Sequence, residues 1–289
     1  PVLIAPAMNV RMWTHSATQR NLAQLVADGI GVLEPDEGDM ACGEFGPGRM
    51  QEPDAIAARV AAELSGEIPH SARALAGRKI LVTAGPTHEP IDPVRYIANR
   101  SSGKQGYAIA TALAAAGAET YLVSGPTQLG SPKGVTVTRV ETALEMLAAC
   151  QSHLPVDAAI MTAAVADWRT VDTASQKMKK SKTRAPGLQL IENPDILASL
   201  SEAGPNRPAL VVGFAAETEN LETYARDKLA CKGCDWIVAN NVAPENGVLG
   251  GDMNTVHVVS GDGEETWEKM SKTDIAARLT AHISAALQA

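Results

Sequence analysis

Aromatic residues are scarce: two Phe, four Tyr and four Trp make up 3% of the 289-residue chain. That leaves little from which to build base-stacking platforms for single-stranded nucleic acid. The 25 Lys and Arg are outnumbered by 33 Asp and Glu, a formal net charge of -8, which further disfavours a general nucleic-acid binder. Cysteine is also rare. Cys42, Cys150, Cys231 and Cys234 do not make a disulfide scaffold in a chain this long, and they point to a reduced, cytoplasmic compartment. No apolar run approaches the ~18 residues that cross a bilayer, so no membrane partner is expected. An initiator Met and a signal-like leader are missing too. Pro1-Val2-Leu3-Ile4 reads as the inside of a strand, and the chain is expected to be a piece of something longer.

What remains is an ordinary globular composition, 45% hydrophobic and 20% charged, with chain enough for one large core or two ordinary ones. Residues 1–64 read as a small α/β piece. Strands are expected at Val2–Ala5 and Gly31–Glu34, with helices at Ala17–Asp28 and Asp54–Leu64 and an irregular Gly-rich loop from Gly38 to Gly48 between them. Residues 65–75 mix Gly, Pro and charge without periodicity and read as a linker.

From residue 76 onward strands alternate with helices. Strands are predicted at Ile80–Ala84, Thr120–Ser124, Val135–Val140, Ala158–Ala163, Ala209–Gly213 and Trp236–Ala239. Helices are predicted at Gly106–Ala116, Ala143–Cys150, Ile196–Leu200 and Leu221–Leu229. Thr255–Ser260 and Glu264–Trp267 flank a hairpin-like turn, and Asp274 is expected to cap a last helix through His282. This alternation predicts an α/β doubly wound, Rossmann-like and mostly parallel sheet. Ligands in such sheets bind beyond the carboxyl ends of the strands.

The polar segments at those ends are the candidates. The dinucleotide fingerprint GxGxxG and the P-loop GxxxxGK[ST] are absent. Ser101-Ser102-Gly103-Lys104-Gln105-Gly106 opens a helix, and its backbone N–H groups could hold a phosphate; a capped turn is the plainer reading. Asp167, just past a strand, could accept hydrogen bonds from a ribose or a base amine, or could be a turn residue. The run Lys177-Met178-Lys179-Lys180-Ser181-Lys182 is either solvated surface or a neutraliser of triphosphate charge. Lys228 and Lys232 lie four apart on one helical face. Cys231-Lys232-Gly233-Cys234 has no second CxxC or His pair to complete a zinc site. Cys42, in its Gly-rich loop, is a small filler or a reactive thiol.

Taken together these segments resemble a known family. Pro6-Ala7-Met8-Asn9-Val10-Arg11-Met12-Trp13 is similar to the PxMNxxMW motif of phosphopantothenoylcysteine decarboxylases, and Ala41–Met50 to their substrate-recognition flap. Several later segments resemble phosphopantothenate–cysteine ligase. They are Ala84-Gly85-Pro86-Thr87, Glu89–Asp92, Arg95–Gly106, Ala163–Asp167, Lys177–Lys180, Asn193–Ile196, Gly213–Glu217 and Ala239-Asn240. The order, decarboxylase then ligase, is that of the bifunctional bacterial enzyme of coenzyme A biosynthesis.

The resemblance implies a ligase that joins 4′-phosphopantothenate to cysteine through an acyl-cytidylate, with CTP as co-substrate and Mg²⁺ as cofactor. It implies CTP contacts at Met161, Thr162, Ala163, Asp167, Lys177, Asn193, Pro194, Asp195, Ile196, Phe214, Lys228 and Lys232. Lys177 would stabilise charge developing on the phosphates, and Asn99 with Arg95 would hold the acyl-cytidylate. For the decarboxylase it implies that Asn9 binds the substrate carboxylate, Cys42 protonates the enethiol intermediate and Arg49 belongs to the flap. The family's flavin-binding strand and catalytic His lie upstream of the PxMNxxMW motif. The FMN site is therefore expected to be incomplete and the ligase intact. The resemblance also implies a homodimer through the ligase domain, with larger homo-oligomers through the flavin domain. Two alternatives remain: a nicotinamide-dependent oxidoreductase, against which the missing GxGxxG counts, and a non-catalytic nucleotide-binding module. Metal ligands stay unassigned.

Overall fold

The computed structural model describes residues 2–27, 30–40, 43–65, 74–179, 187–202, 204–242 and 251–288. They form two compact units: residues 1–76 with 115–117, and residues 77–114 with 118–289. Most of the predicted linker, residues 66–73, lies outside the described residues, as do Cys42 and Lys180–Lys182.

The first unit pairs β1 (Leu3–Ile4) in parallel with β2 (Gly31–Val32), bridged by α1 (Val10–Trp13) and α2 (Ser16–Ala27). The segment expected to be irregular is instead a hairpin. In it β3 (Asp36–Asp39) runs antiparallel to β4 (Phe45–Arg49), and α3 (Pro53–Ser65) follows. The glycines that suggested a loop are what allow the close approach: a Cβ on Gly48, which has φ of 146°, would collide with the Met8 carbonyl oxygen. Helix α1 was not anticipated, being a single turn too short for periodicity to register.

The second unit is built on an eight-stranded sheet. In chain order its elements are β5 (Lys79–Ala84), a short pair β6 (Glu89–Pro90) and β7 (Tyr96–Ile97), α4 (Lys104–Ala115), β8 (Glu119–Ser124), β9 (Val135–Arg139), α5 (Ala143–Ser152) and β10 (Ala158–Met161). Next come a second short pair β11 (Trp168–Thr170) and β12 (Leu190–Glu192), then α6 (Ile196–Ser201), β13 (Leu210–Glu217), α7 (Leu221–Lys232) and β14 (Trp236–Asn241). β15 (Met253–Ser260), β16 (Gly263–Ser271) and α8 (Lys272–Ala286) end the unit.

Strand order is β16-β15-β14-β13-β10-β5-β8-β9, with the pairs from β14 to β9 parallel and the β14–β15 and β15–β16 pairs antiparallel. The α/β, mostly parallel sheet expected from the alternation is present. Its inner strands carry unbroken apolar runs because both faces are covered: every residue of β10 is buried, as are residues 80–84 of β5.

Element boundaries move where side-chain chemistry overrides periodicity. The strand expected at Ala158–Ala163 stops at Met161, which leaves Thr162 and Ala163 beyond its end. The last helix is capped not by Asp274 but by Ser271, whose hydroxyl accepts from the Asp274 amide at 3.0 Å. Helix α5 starts with a capping box between Thr142 and Glu145, and α7 ends on Gly233 in the left-handed conformation. From β5 the sheet grows outward through β8 and β9, then the chain returns to lay β10 on the other side of β5. That reversal opens a crevice at the carboxyl ends of β5 and β10.

Candidate functional site

The register places Met161 beside Thr83 and Gly213, so the residues just past β10 and the outer half of β13 overlook the crevice together. The segment 163–166 is held there by a parallel bridge between Ala164 and Pro86, with the Ala164 amide donating to the Gly85 carbonyl at 2.9 Å, and by side chains. Thr83 Oγ1 accepts from the Ala163 amide at 3.2 Å, and the fully buried Thr87 accepts from the Ala166 amide at 3.0 Å. Asn99 Nδ2 donates to the Val165 carbonyl at 2.9 Å, and Asn193 Nδ2 to the Ala166 carbonyl at 2.8 Å. With these groups paired, an irregular strand end can keep one shape.

Around this segment lies a cavity of about 880 Å³. Eleven of the expected ligase residues line it: Asn99, Met161, Ala163, Asp167, Asn193, Pro194, Asp195, Ile196, Phe214, Lys228 and Lys232. Asp195 caps α6 by accepting from the Ala198 amide at 2.9 Å and also pairs with Lys232. Burial works against its charge, but the amide and the two lysines outweigh it and hold the carboxyl below its ordinary value. Lys232 is correspondingly pushed up by Asp195. Lys228 donates to the Phe214 carbonyl at 2.9 Å, and burial pushes its ammonium down despite Glu217 and Asp195 nearby. The pair four apart on α7 therefore consists of one neutralised cation and one desolvated cation.

A smaller hollow of about 150 Å³ adjoins this cavity at the N-terminus of α4 and shares Arg100, Ala163, Ala164, Phe214, Ala216 and Val242 with it. Ser101 through Gly106 line it together with Thr162, Asn240, Asn254 and Lys272. Helix α4 sits close against the strand ends because Gly106 has no side chain; a Cβ there would strike Thr162 and Ala84. Lys104 Nζ reaches Asp252 at 2.6 Å, and Lys272 Nζ donates to the Gly251 carbonyl. Burial, then the neighbouring Lys104, push Lys272 below its ordinary value.

Two expected ligase residues lie elsewhere. Lys177 is exposed and does not line the cavity. Arg95 donates to the Asp92 carboxylate and to the Met178 carbonyl instead of reaching into the cavity. In the first unit Asn9 donates to Glu44 at 2.8 Å and caps α1, Arg11 pairs with Glu44 at 3.0 Å, and the Met8 amide donates to Gly48. The hairpin is thus tied to the Met8–Arg11 turn. Arg49 pairs with Glu52 on its exposed rim.

A family model described as the DNA/pantothenate metabolism flavoprotein C-terminal domain matches residues 75–287, and one described as flavoprotein matches residues 1–65. The coenzyme A biosynthesis bifunctional protein CoaBC of Escherichia coli is 44% identical over 270 residues, which cover 92% of this chain and 64% of that protein. The Vibrio cholerae protein of the same name is 42% identical over 278 residues, covering 96% and 68%. The chain belongs to this family of bifunctional CoaBC proteins. It spans about 65% of the length of the curated relatives it matches.

The crystal structure of a CoaBC C-terminal domain superposes with a TM-score of 0.62 at 40% identity, covering 75% of this chain and 98% of that one. A DNA/pantothenate metabolism flavoprotein from Streptococcus pneumoniae gives 0.61 at 25% identity, covering 72% and 99%. A Cab2 mutant in complex with phosphopantothenate-cysteine gives 0.59 at 16% identity, a likeness of fold alone.

Members of this family were legible here through their long motifs; the supporting residues were not. Thr83 and Thr87 read as ordinary strand and turn residues, and Asn254 carried no signal. Lys272 did carry one: a lysine in the first turn of a helix opposes the helix dipole and invites the question of what it serves. In the CxxC, Cys231 is exposed whereas Cys234 is buried, its thiol pushed up to about 11 by burial. Among the described residues no group of three or more His, Cys, Asp or Glu could hold a metal, and no helix is long and apolar enough to cross a membrane.

Proposed function

We propose that this chain ligates 4′-phosphopantothenate to cysteine, with CTP as the activating nucleotide. The observation that carries the reading is convergence. Residues as far apart in sequence as Asn99, Asp167, Asn193, Phe214 and Lys232 line one cavity at the switch point, beside a helix N-terminus flanked by two lysines. The cavity is of a size that suits a nucleotide. The Ser101–Gly106 turn, with Lys104 and Lys272, suits a phosphate dianion such as the 4′-phosphate. Lys228, desolvated at the cavity wall, suits a polyanion, which would offset the cost of burying its ammonium.

In the first step a carboxylate oxygen of phosphopantothenate attacks the α-phosphorus of CTP. The bond to the pyrophosphate oxygen breaks, and pyrophosphate leaves. In the second, the cysteine amine attacks the acyl carbon, the C–O bond to CMP breaks, and the amine proton is released. A carboxylate is a poor acyl electrophile, and the cytidylate supplies the leaving group. Asn99, on the cavity wall, holds the acyl-cytidylate for the second step, and the exposed Lys177, which lies outside the cavity lining, would have to extend to the phosphates to offset the charge developing there. Among the described residues no group of carboxylates forms a cage for Mg²⁺; an ion arriving with the triphosphate would supply charge neutralisation when bound.

The flavoprotein likeness of residues 1–65 adds FMN-dependent decarboxylation of the product to the proposal, with Asn9, Cys42 and Arg49 as its residues. Among the described residues of the first unit, β1 leads to α1 through Ala5–Asn9 without a glycine-rich phosphate cradle. They do not fit a flavin site by themselves.

A homodimer through the second unit is part of the proposal. Trp168 and Leu190, which share a face of the β11–β12 pair, are 52% and 48% exposed and offer apolar surface that a second copy would cover.

The test is pyrophosphate release. It should require both CTP and phosphopantothenate and be indifferent to NAD(P). Asn99→Asp should still release pyrophosphate but stall before amide formation; normal amide yield in that variant would refute its assignment.

A further inference from the structure

The loop after β5 is stitched to the segment that follows β11. Thr170 and Thr173 both donate to the Pro90 carbonyl, at 2.9 and 3.3 Å, and the Ala174 amide donates to the Ile91 carbonyl at 3.0 Å. The last stitch is the most elaborate. Asp92 is 3% exposed. Its Oδ1 accepts from the amides of Val94 and Arg95, and its Oδ2 accepts from the Met178 amide at 3.1 Å and from the Arg95 guanidinium. Arg95 in turn donates to the Met178 carbonyl at 3.1 Å. Both main-chain groups of Met178 are thereby gripped by one carboxylate–guanidinium pair. Arg95 first, with the surrounding amides, holds the Asp92 carboxyl well below the usual carboxylate range.

Met178 itself is half-buried, while its neighbours Lys177 and Lys179 are exposed. A lysine is a flexible point charge, and fixing the main chain it hangs from removes much of the disorder that binding would otherwise have to overcome. The other end of the anchor is equally defined. Asp92 lies between Thr87 and Asn99, two residues of this loop whose side chains hold the cavity-lining segment 163–166.

We infer that Asp92 is a positioning residue. Paired with Arg95, it fixes the main chain at Met178 and so sets the point from which the exposed Lys177, outside the cavity lining, extends its ammonium group towards the nucleotide phosphates. This rests on the ligase reading for the role of Lys177, but the clamp itself does not. It also gives Arg95 a purpose different from direct contact with the acyl-cytidylate.

The experiment uses the whole chain with Asp92→Asn, which keeps the size and removes the charge. Pyrophosphate release should fall about tenfold in kcat with KM for phosphopantothenate changed less than about twofold. In a Lys177→Ala background the same substitution should cost less than about twofold more, because both act through one group. Hydrogen exchange at the Met178 amide should speed up about tenfold, while exchange in β10 stays unchanged.

Additive losses in the double variant, or unaltered exchange at Met178, would overturn the inference. Should Asp92→Asn not fold, Met178→Pro removes the donated amide and is expected to reproduce the loss; Met178→Ala keeps the amide and is expected to match the parent chain. Equal activity of the two Met178 variants would overturn the inference as well. If the parent chain releases no pyrophosphate with CTP, it is the ligase reading that fails, and the exchange measurement still decides the clamp.

Discussion

Between residues 2 and 65, Trp13, Leu33 and Pro35 are the apolar side chains described as buried, whereas the second unit buries Ile80, Leu81 and Val82 on one strand and the whole of β10 on the next. Site construction differs in the same way. In the first unit the motif residues find one another across a single hairpin, through Asn9 with Glu44 and Met8 with Gly48. In the second, a buried parallel sheet brings Asn99, Asn193 and Lys232 to one crevice from distant parts of the chain. A local site can be held by a few exposed polar contacts. A dispersed one needs a core whose register leaves no choice.

Substitution inside the sheet should separate the units most sharply. Ile160→Ala, at a fully buried position of β10, should destabilise by about 2–5 kcal/mol in urea unfolding, while Val60→Ala on the half-exposed α3 should stay within about 0.5 kcal/mol. A loss of comparable size at Val60 would break the comparison.

Ion pairs give a smaller contrast. Arg226, then the neighbouring His257, hold the Glu264 carboxyl at about 2. A carboxyl depressed in the folded state adds stability above its unfolded pKa and loses it as pH falls through the folded value. The destabilisation caused by Glu264→Gln should therefore be full at pH 7 and shrink steadily from about pH 4.5 towards 2. Glu52→Gln, at the exposed Arg49 pair, serves as the comparator and should move stability little at any pH. A pH-independent cost at Glu264 would remove the distinction.

The smallest effect is expected from Cys42→Ser, which should leave pyrophosphate release unchanged. A large loss would mean that the chemistry is not divided between the units as proposed.

How much could be read beforehand follows the same division. The strand–helix alternation of the second unit was legible because fully buried parallel strands announce themselves as apolar runs, β5 and β10 above all. The hairpin β3–β4 was not, because Asp36–Asp39 and Phe45–Arg49 are rich in glycine and charge and carry no strand periodicity. The cavity residues were legible through motif resemblance. Their supports, Thr83, Thr87 and Asp92, were not given roles, since a buried hydroxyl or carboxylate is recognised only by what it bonds to.

The sequence by itself determined the class of fold, the family and the identities of the residues at the strand ends, because apolar periodicity and long motifs are properties of the chain. The tertiary structure alone decided that Lys228 is desolvated while Lys232 is paired, that Arg95 grips Met178, and that segment 163–166 is pinned from four sides. Those are consequences of which groups lose water together, and that is fixed only when the sheet closes over them.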